Sequence, residues 1–231
     1  MQIKDKVIII TGASQGIGLE TARVLAAKGA KLVLAARSGD KLAALAAELP
    51  EALAVPTDMR KAADIKNLVA KTLEKFGRID CLINNAGQGI YGPLEKIDVE
   101  QYKQIMELNV YGVLEAMQEV VPQMRKQGGG MIINVSSGVS RRYIPGLAAY
   151  ASTKYALNAL TFTARQELEK DNIIVSTILP KMTATNFGKN AVGARPDFSS
   201  RSGGMPDVDP PELVAEKIAE LIETEQVEIV L

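Results

Sequence analysis

Apolar residues fall along this chain in seven short runs, at 7–10, 31–35, 52–55, 81–83, 131–135, 173–179 and 227–231. Longer periodic stretches lie between them. Short runs without apolar–polar alternation read as strands buried on both faces. After the third run, Ile65, Leu68, Val69, Leu73 and Phe76 recur at i, i+3, i+4 spacing, one apolar stripe of a helix, and Gly77 stands where a C-cap is expected. Strands separated by single helices imply right-handed crossovers and a parallel sheet. The pattern predicts an α/β fold: one doubly wound domain over 1–231, with a parallel sheet of about seven strands and helices on both faces. Ligands of such sheets bind at the carboxyl ends of the strands.

Two predicted helices, 98–127 and 148–170, are longer and carry apolar residues on more than one face. They fit burial against both the sheet and a second copy, or a broad core face. Residues 181–209 break the periodicity, with Gly188, Gly193, Gly203, Gly204, Pro196 and Pro206. A loop of this length in a compact domain is uncommon and usually functional. A flexible substrate lid is the expectation.

The first run leads directly into Thr11-Gly12-Ala13-Ser14-Gln15-Gly16-Ile17-Gly18 and then an amphipathic stretch. Strand, glycine turn and helix together let backbone approach a ligand closely and aim the helix's first N–H groups at an anion. A dinucleotide pyrophosphate suits this Rossmann-type arrangement, although the glycine spacing differs from G-x-G-x-x-G. A triphosphate-binding loop would need Lys-Ser or Lys-Thr after the last glycine, where Leu19 stands.

Composition narrows the classes. Lys+Arg and Asp+Glu are equal at 27 each, so no global field favours nucleic acid or an anionic membrane. Apolar residues make up 47%, enough for a sizeable core. The one cysteine, Cys81, lies in an apolar run and reads as a core residue in a reducing compartment. Neither a signal peptide nor a membrane-length apolar run is evident, so a soluble, cytoplasmic protein is expected. Histidine is absent and no cluster has metal-ligand spacing, so acid–base chemistry falls to Tyr, Lys, Asp, Glu or Cys, and no metal is expected.

The fifth strand runs into Ser136-Ser137, and Tyr150-Ala151-Ser152-Thr153-Lys154 follows. Tyr and Lys four apart share one helix face. A tyrosine with its ordinary pKa of about 10 exchanges protons poorly at neutral pH. A nearby ammonium favours the phenolate and would lower that value, while a serine hydroxyl could hold the same substrate oxygen.

Read together, these motifs resemble the classical short-chain dehydrogenase/reductase family over roughly 4–222. Thr11-Gly12-x-x-x-Gly16-x-Gly18, Asn84-Asn85-Ala86-Gly87, Asn109, Ser137 and Tyr150-x-x-x-Lys154 stand in the family's order. The resemblance implies Tyr150 as acid/base and Ser137 as the group orienting the carbonyl. Lys154 would lower the tyrosine pKa and hold the nicotinamide ribose. Asn109 would hold a water linking Lys154 to solvent. It also implies a cofactor site built from Gly12, Ser14, Gln15, Gly16, Ile17, Gly18, Arg37, Ser38, Asp58, Asn85, Ala86, Gly87, Tyr150, Lys154, Pro180, Thr183 and Thr185. The segment from Asn84 would mainly brace the sheet. Asp58 would contact adenine, or else cap the helix starting near Lys61.

The chain departs from the family pattern twice. Pro180-Lys181 replaces the frequent Pro-Gly, which puts the local backbone turn in doubt. The chain ends at Leu231, short of the family's usual tail, so contacts built from that tail are expected to be missing. Cofactor choice is partly legible. An acid after the second strand would hold a ribose 2′-OH, but Ala36 stands there, followed by Arg37 and Ser38, which suit a 2′-phosphate. Gln15 is not basic, so one common second cation is missing. The expected cofactor is NADP, with NAD the second choice.

The expected activity is an NADP(H)-dependent oxidoreductase acting on a small-molecule carbonyl/alcohol pair, assembled as a homodimer or homotetramer. The alternative is a non-catalytic NADP-binding sensor or scaffold on the same fold. A sugar-nucleotide epimerase of the family's longer branch fits neither the glycine spacing nor the length. Residues 139–143 and the 181–209 loop are expected to line the pocket. Arg141 and Arg142 either face it and grip an anionic substrate or sit on a surface turn.

Overall fold

The computed structural model describes residues 1–193 and 207–231. Seven strands form one parallel sheet: β1 Val7–Thr11, β2 Lys31–Ala36, β3 Ala52–Pro56, β4 Cys81–Asn84, β5 Gly130–Val135, β6 Ile173–Leu179 and β7 Glu228–Val230, in the order β3-β2-β1-β4-β5-β6-β7. The order reverses between β1 and β4, so a crevice opens where their carboxyl ends diverge. Each strand matches an expected apolar run to within a residue or so.

Alternation along β1 divides the core. Ile8 and Ile10 pack with Leu25 of α1 (Gly16–Ala27), Leu42 of α2 (Gly39–Glu48) and Ile218 of α7 (Pro211–Thr224). Ile9 faces the other layer, with Leu68 of α3 (Ala62–Phe76), Met117 of α5 (Gly112–Lys126) and Leu157 of α6 (Ala148–Leu168). Strand side chains point alternately to opposite faces, and both faces are dry, so no polar alternation is written into the sequence. Gly77 closes α3 at φ 73°, its N–H bonded to the Leu73 carbonyl, as expected for a left-handed C-cap. Cys81 is wholly buried, and burial beside the Asp80 carboxylate holds its thiol far above its ordinary range, in keeping with a core role.

The expected single helix over 98–127 is instead three pieces: α4 (Val99–Met106), a π-helical turn at Glu107–Tyr111, and α5. Asp98 caps the first, accepting from the Gln101 N–H at 2.9 Å. A wider turn changes the register by a fraction of a residue, which apolar periodicity cannot resolve. Its effect is to bury the polar Asn109 completely. Gly112 follows because backbone meets backbone there: a Cβ would lie 1.9 Å from the Met59 carbonyl oxygen.

Candidate active site

The carboxyl ends of β1 and β4 are tied together through Thr11. Its Oγ1 accepts the N–H groups of Asn85 and Ala86, both at 3.0 Å, and Asn85 Nδ2 donates back to the Thr11 carbonyl at 2.8 Å. The glycine turn packs on this brace. Gly12 (φ +69°) has no room for a side chain, since a Cβ would lie 2.9 Å from Ala86 Cα, and one on Gly18 would lie 2.5 Å from the Gly12 oxygen. Gln15 precedes α1 without a side-chain cap, so its side chain takes up none of the N–H groups of the helix start. Thr185, from the segment after β6, reaches the same turn: a Cβ on Gly16 would lie 3.0 Å from its methyl group.

Ser137 follows β5 and caps a short 3₁₀ turn, Gly138–Arg141, accepting from the Val139 N–H at 3.3 Å. Its position is set from below by a relay of polar side chains, of which Asn134, Ser140, Asn158 and Thr161 belong to no motif in the sequence. Ser136 Oγ donates to Asn158 Oδ1 at 2.6 Å, Asn158 Nδ2 donates to Ser140 Oγ at 2.9 Å, and Ser140 Oγ donates to the Ser137 carbonyl at 2.7 Å. Deeper still, Asn84 Nδ2 donates to Asn134 Oδ1 and Asn134 Nδ2 to Thr161 Oγ1, each at 2.9 Å. One signal for this was legible: Tyr150, Lys154, Asn158 and Thr161 recur at i, i+4, i+8 and i+11, a polar line down one face of α6.

Tyr150 and Lys154 lie in the first turns of α6, and both are buried. Burial raises the Tyr150 phenol above its usual range, the Ser137 hydroxyl offsets part of this, and the neighbouring Tyr91 adds to it. Burial also pushes the Lys154 ammonium down to about 8. The expectation that Lys154 depresses the tyrosine pKa is therefore corrected here. The Lys154 Nζ donates to the Val135 carbonyl at 2.9 Å, and burial sets the direction of the shift at the phenol.

Asn109 meets the same cluster at Gly87, where a Cβ would lie 3.3 Å from Asn109 Oδ1 and 3.8 Å from Lys154 Nζ. Its amide donates to the Gln88 carbonyl at 2.9 Å and Thr153 Oγ1 at 3.1 Å, and its Oδ1 accepts the Gln88 N–H at 3.0 Å. Both amide hydrogens are thus used within the protein, so Asn109 could hold a water only through an acceptor, its Oδ1 or its main-chain carbonyl.

The remaining candidates separate into several groups. Asp58 does not cap α3: Lys61 is the N-cap residue, and Asp64 accepts the Asp58 N–H at 2.9 Å. The Asp58 carboxylate is gripped by the Arg60 guanidinium at 3.0 and 2.7 Å, which holds it below its usual range, with Arg37 adding to the effect. Arg37 and Ser38 are exposed just past Ala36, which pairs with Pro56 at the end of β2. Ser14 and Ile17 are half-buried in the glycine turn, and Thr183 bridges to Asp209. Lys181 needs no glycine-like backbone, being absent from the positive-φ residues, and its Nζ lies 3.2 Å from Asp209 Oδ1. The Pro180 carbonyl accepts the Gly138 N–H at 2.9 Å, so the segment after β6 stays attached to the serine turn. Arg141 is half-exposed and pairs with Glu228, and Arg142 is exposed, which favours the surface reading. Of the proposed lid, Pro196, Gly203, Gly204 and Pro206 lie outside the described residues.

A family model for short chain dehydrogenases matches residues 6–195. The chain belongs to the short-chain dehydrogenase family. An uncharacterized oxidoreductase of Staphylococcus saprophyticus is 41% identical over 189 residues, covering 80% of this chain and 77% of the relative. One of Listeria innocua is 41% identical over 193 residues, 81% and 78% of the two chains. Among solved structures, an alcohol dehydrogenase of Thermococcus sibiricus complexed with 5-hydroxy-NADP aligns with a TM-score of 0.85 at 32% identity, over 99% of this chain and 96% of that one. A 3-ketoacyl-(acyl-carrier-protein) reductase of Brucella melitensis complexed with NADH aligns at 0.89 and 30%, over 99% and 97%. This short-chain dehydrogenase thus shares its fold with both solved neighbours. Among the described residues, no helix is long and apolar enough to cross a membrane, and no group of His, Cys, Asp and Glu is placed to hold a metal ion.

Proposed function

We propose that this short-chain dehydrogenase is an NADP(H)-dependent oxidoreductase interconverting a carbonyl and its alcohol, with Tyr150 as the acid/base. The observation that carries the reading is the joint burial of Tyr150 and Lys154 beside Ser137, at the sheet edge where the glycine turn opens. The turn fits a dinucleotide. Gly12, Ser14, Gln15, Gly16, Ile17 and Gly18 would present backbone to its pyrophosphate, and Asn85, Ala86 and Gly87 would flank it. Asp58 would hold the adenine, Arg37 and Ser38 the 2′-phosphate, Thr183 and Thr185 the carboxamide beside Pro180, and Lys154 the ribose. When bound, the nicotinamide gives or takes the hydride. The protein's part is the proton. In reduction, Tyr150 donates its phenolic proton to the substrate oxygen while the Ser137 hydroxyl donates a hydrogen bond to the same atom, and Asn109 and Lys154 serve the proton's return.

The two structural neighbours carry NADP-type and NAD-type cofactors, so preference rests on Ala36 and Arg37. NADPH is expected to bind tighter than NADH by about 1–3 kcal/mol, the scale of a charge-assisted hydrogen bond. Ala36→Asp with Arg37→Ala should reverse the order. Fluorescence titration of both cofactors checks this, and equal affinities in the parent protein would overturn it. The outward faces of α4, α5 and α6 are proposed to pair with their copies across a two-fold axis, giving a dimer or tetramer. Sedimentation at micromolar concentration should show no monomer-only boundary.

A further inference from the structure

We infer that the substrate carries its carbonyl on an uncharged apolar group, preferably an aromatic ring, and that Phe187 selects it. The inference deepens the oxidoreductase reading and rests on it. Tyr150 belongs to a small apolar cluster separate from both sheet cores, buried together with Ile90 and Ala149, and Val139, Phe187 and Val192 pack against that cluster. The Phe187 ring lies 5.5 Å from the Tyr150 ring at 55°, the tilted arrangement that aromatic pairs favour. Phe187 is held there by backbone. Ile90 and Val192 form a parallel bridge, with the Tyr91 N–H on the Val192 carbonyl at 2.8 Å and the Val192 N–H on the Gly89 carbonyl at 2.9 Å. Gly89 leaves just the space the ring needs, since a Cβ there would lie 3.1 Å from Phe187 Cε1. The group beside the reacting carbonyl therefore meets aliphatic and aromatic surface.

Among the described residues, Arg141, Arg142, Lys181 and Lys189 are not buried against this wall. Arg141 is paired with Glu228 and Lys181 with Asp209, while Arg142 and Lys189 are exposed. A carboxylate placed next to the carbonyl would lose water against this wall without gaining a guanidinium or ammonium from these four residues. An aromatic substituent loses no such hydration and gains a ring partner in Phe187.

The test is a set of three ketones followed by NADPH absorbance. Ethyl benzoylformate and benzoylformate share the aryl ketone and differ by one negative charge, and ethyl pyruvate keeps the ester without the ring. The neutral aryl ester is expected to have a kcat/KM at least tenfold above both others. Phe187→Ala should cut its advantage over ethyl pyruvate about tenfold, mainly through KM. Phe187→Leu, which keeps most of the volume, should lose the ring preference and retain the discrimination against the acid. A benzoylformate rate equal to or above that of its ester overturns the inference, as does an unchanged ring preference in both Phe187 variants. NADPH binding with no carbonyl reduced overturns the underlying oxidoreductase reading instead.

Discussion

Tyr150→Phe is expected to lower carbonyl reduction by about 10²–10⁴-fold or more while leaving NADPH affinity nearly intact. The substitution removes one hydroxyl and keeps the ring, so packing against Phe187 survives. Burial raises the phenol above its usual range, so near neutral pH Tyr150 holds its proton and is a donor toward the substrate oxygen. Ser137 can still hydrogen-bond that oxygen, and the hydride donor is unchanged, so the loss reports the proton alone. The loss belongs in kcat and kcat/KM together, as for an interaction made in the transition state. Single-turnover NADPH absorbance measures the rate and fluorescence titration the affinity. A Phe variant with a near-normal rate would assign the proton to another group.

The second large effect is on stability. Lys154 is buried, and burial lowers its pKa from 10.5 to about 8. Below about pH 8 the folded and unfolded chains both hold this proton, and the buried ammonium destabilises the fold. Between pH 8 and 10.5 the folded protein releases it first, so the unfolded state binds more protons and stability rises with pH. At roughly 1.4 kcal/mol per pKa unit, the relief is on the order of 3 kcal/mol. Lys154→Met removes the titration, although it leaves the Val135 carbonyl without its 2.9 Å partner, a loss that does not depend on pH. The cofactor-free wild type should therefore gain on the order of 3 kcal/mol relative to the Met variant between pH 7 and 10.5. Urea unfolding of both proteins across that range measures it, with the other titrating groups cancelling in the difference. A pH-independent difference would mean that Lys154 is solvated in the folded state.

What the sequence determined by itself is what short-range covalent spacing controls. A continuous β-branched run, three glycines and a helix start define the β1 turn, because φ above zero at Gly12 and Gly16 and contact at Gly18 admit no other residue comfortably. Seven apolar runs separated by helices define the sheet. Tyr150 and Lys154 share a face because a helix turns once in 3.6 residues. Other features depended on partners far apart in the chain. The Glu107–Tyr111 turn turns Asn109 inward against Gln88 and Thr153. Asn158 supports Ser137 through Ser136 and Ser140, Arg60 takes the Asp58 carboxylate, and Glu228 draws Arg141 to the surface. Lys181 finds Asp209 across the ends of a long loop, and Phe187 finds Tyr150. Each is one specific contact between distant segments, with no period and no local propensity to announce it. The pKa directions follow the same division. Sequence spacing placed an ammonium near a phenol, but burial decided the result, and burial belongs to the packed fold.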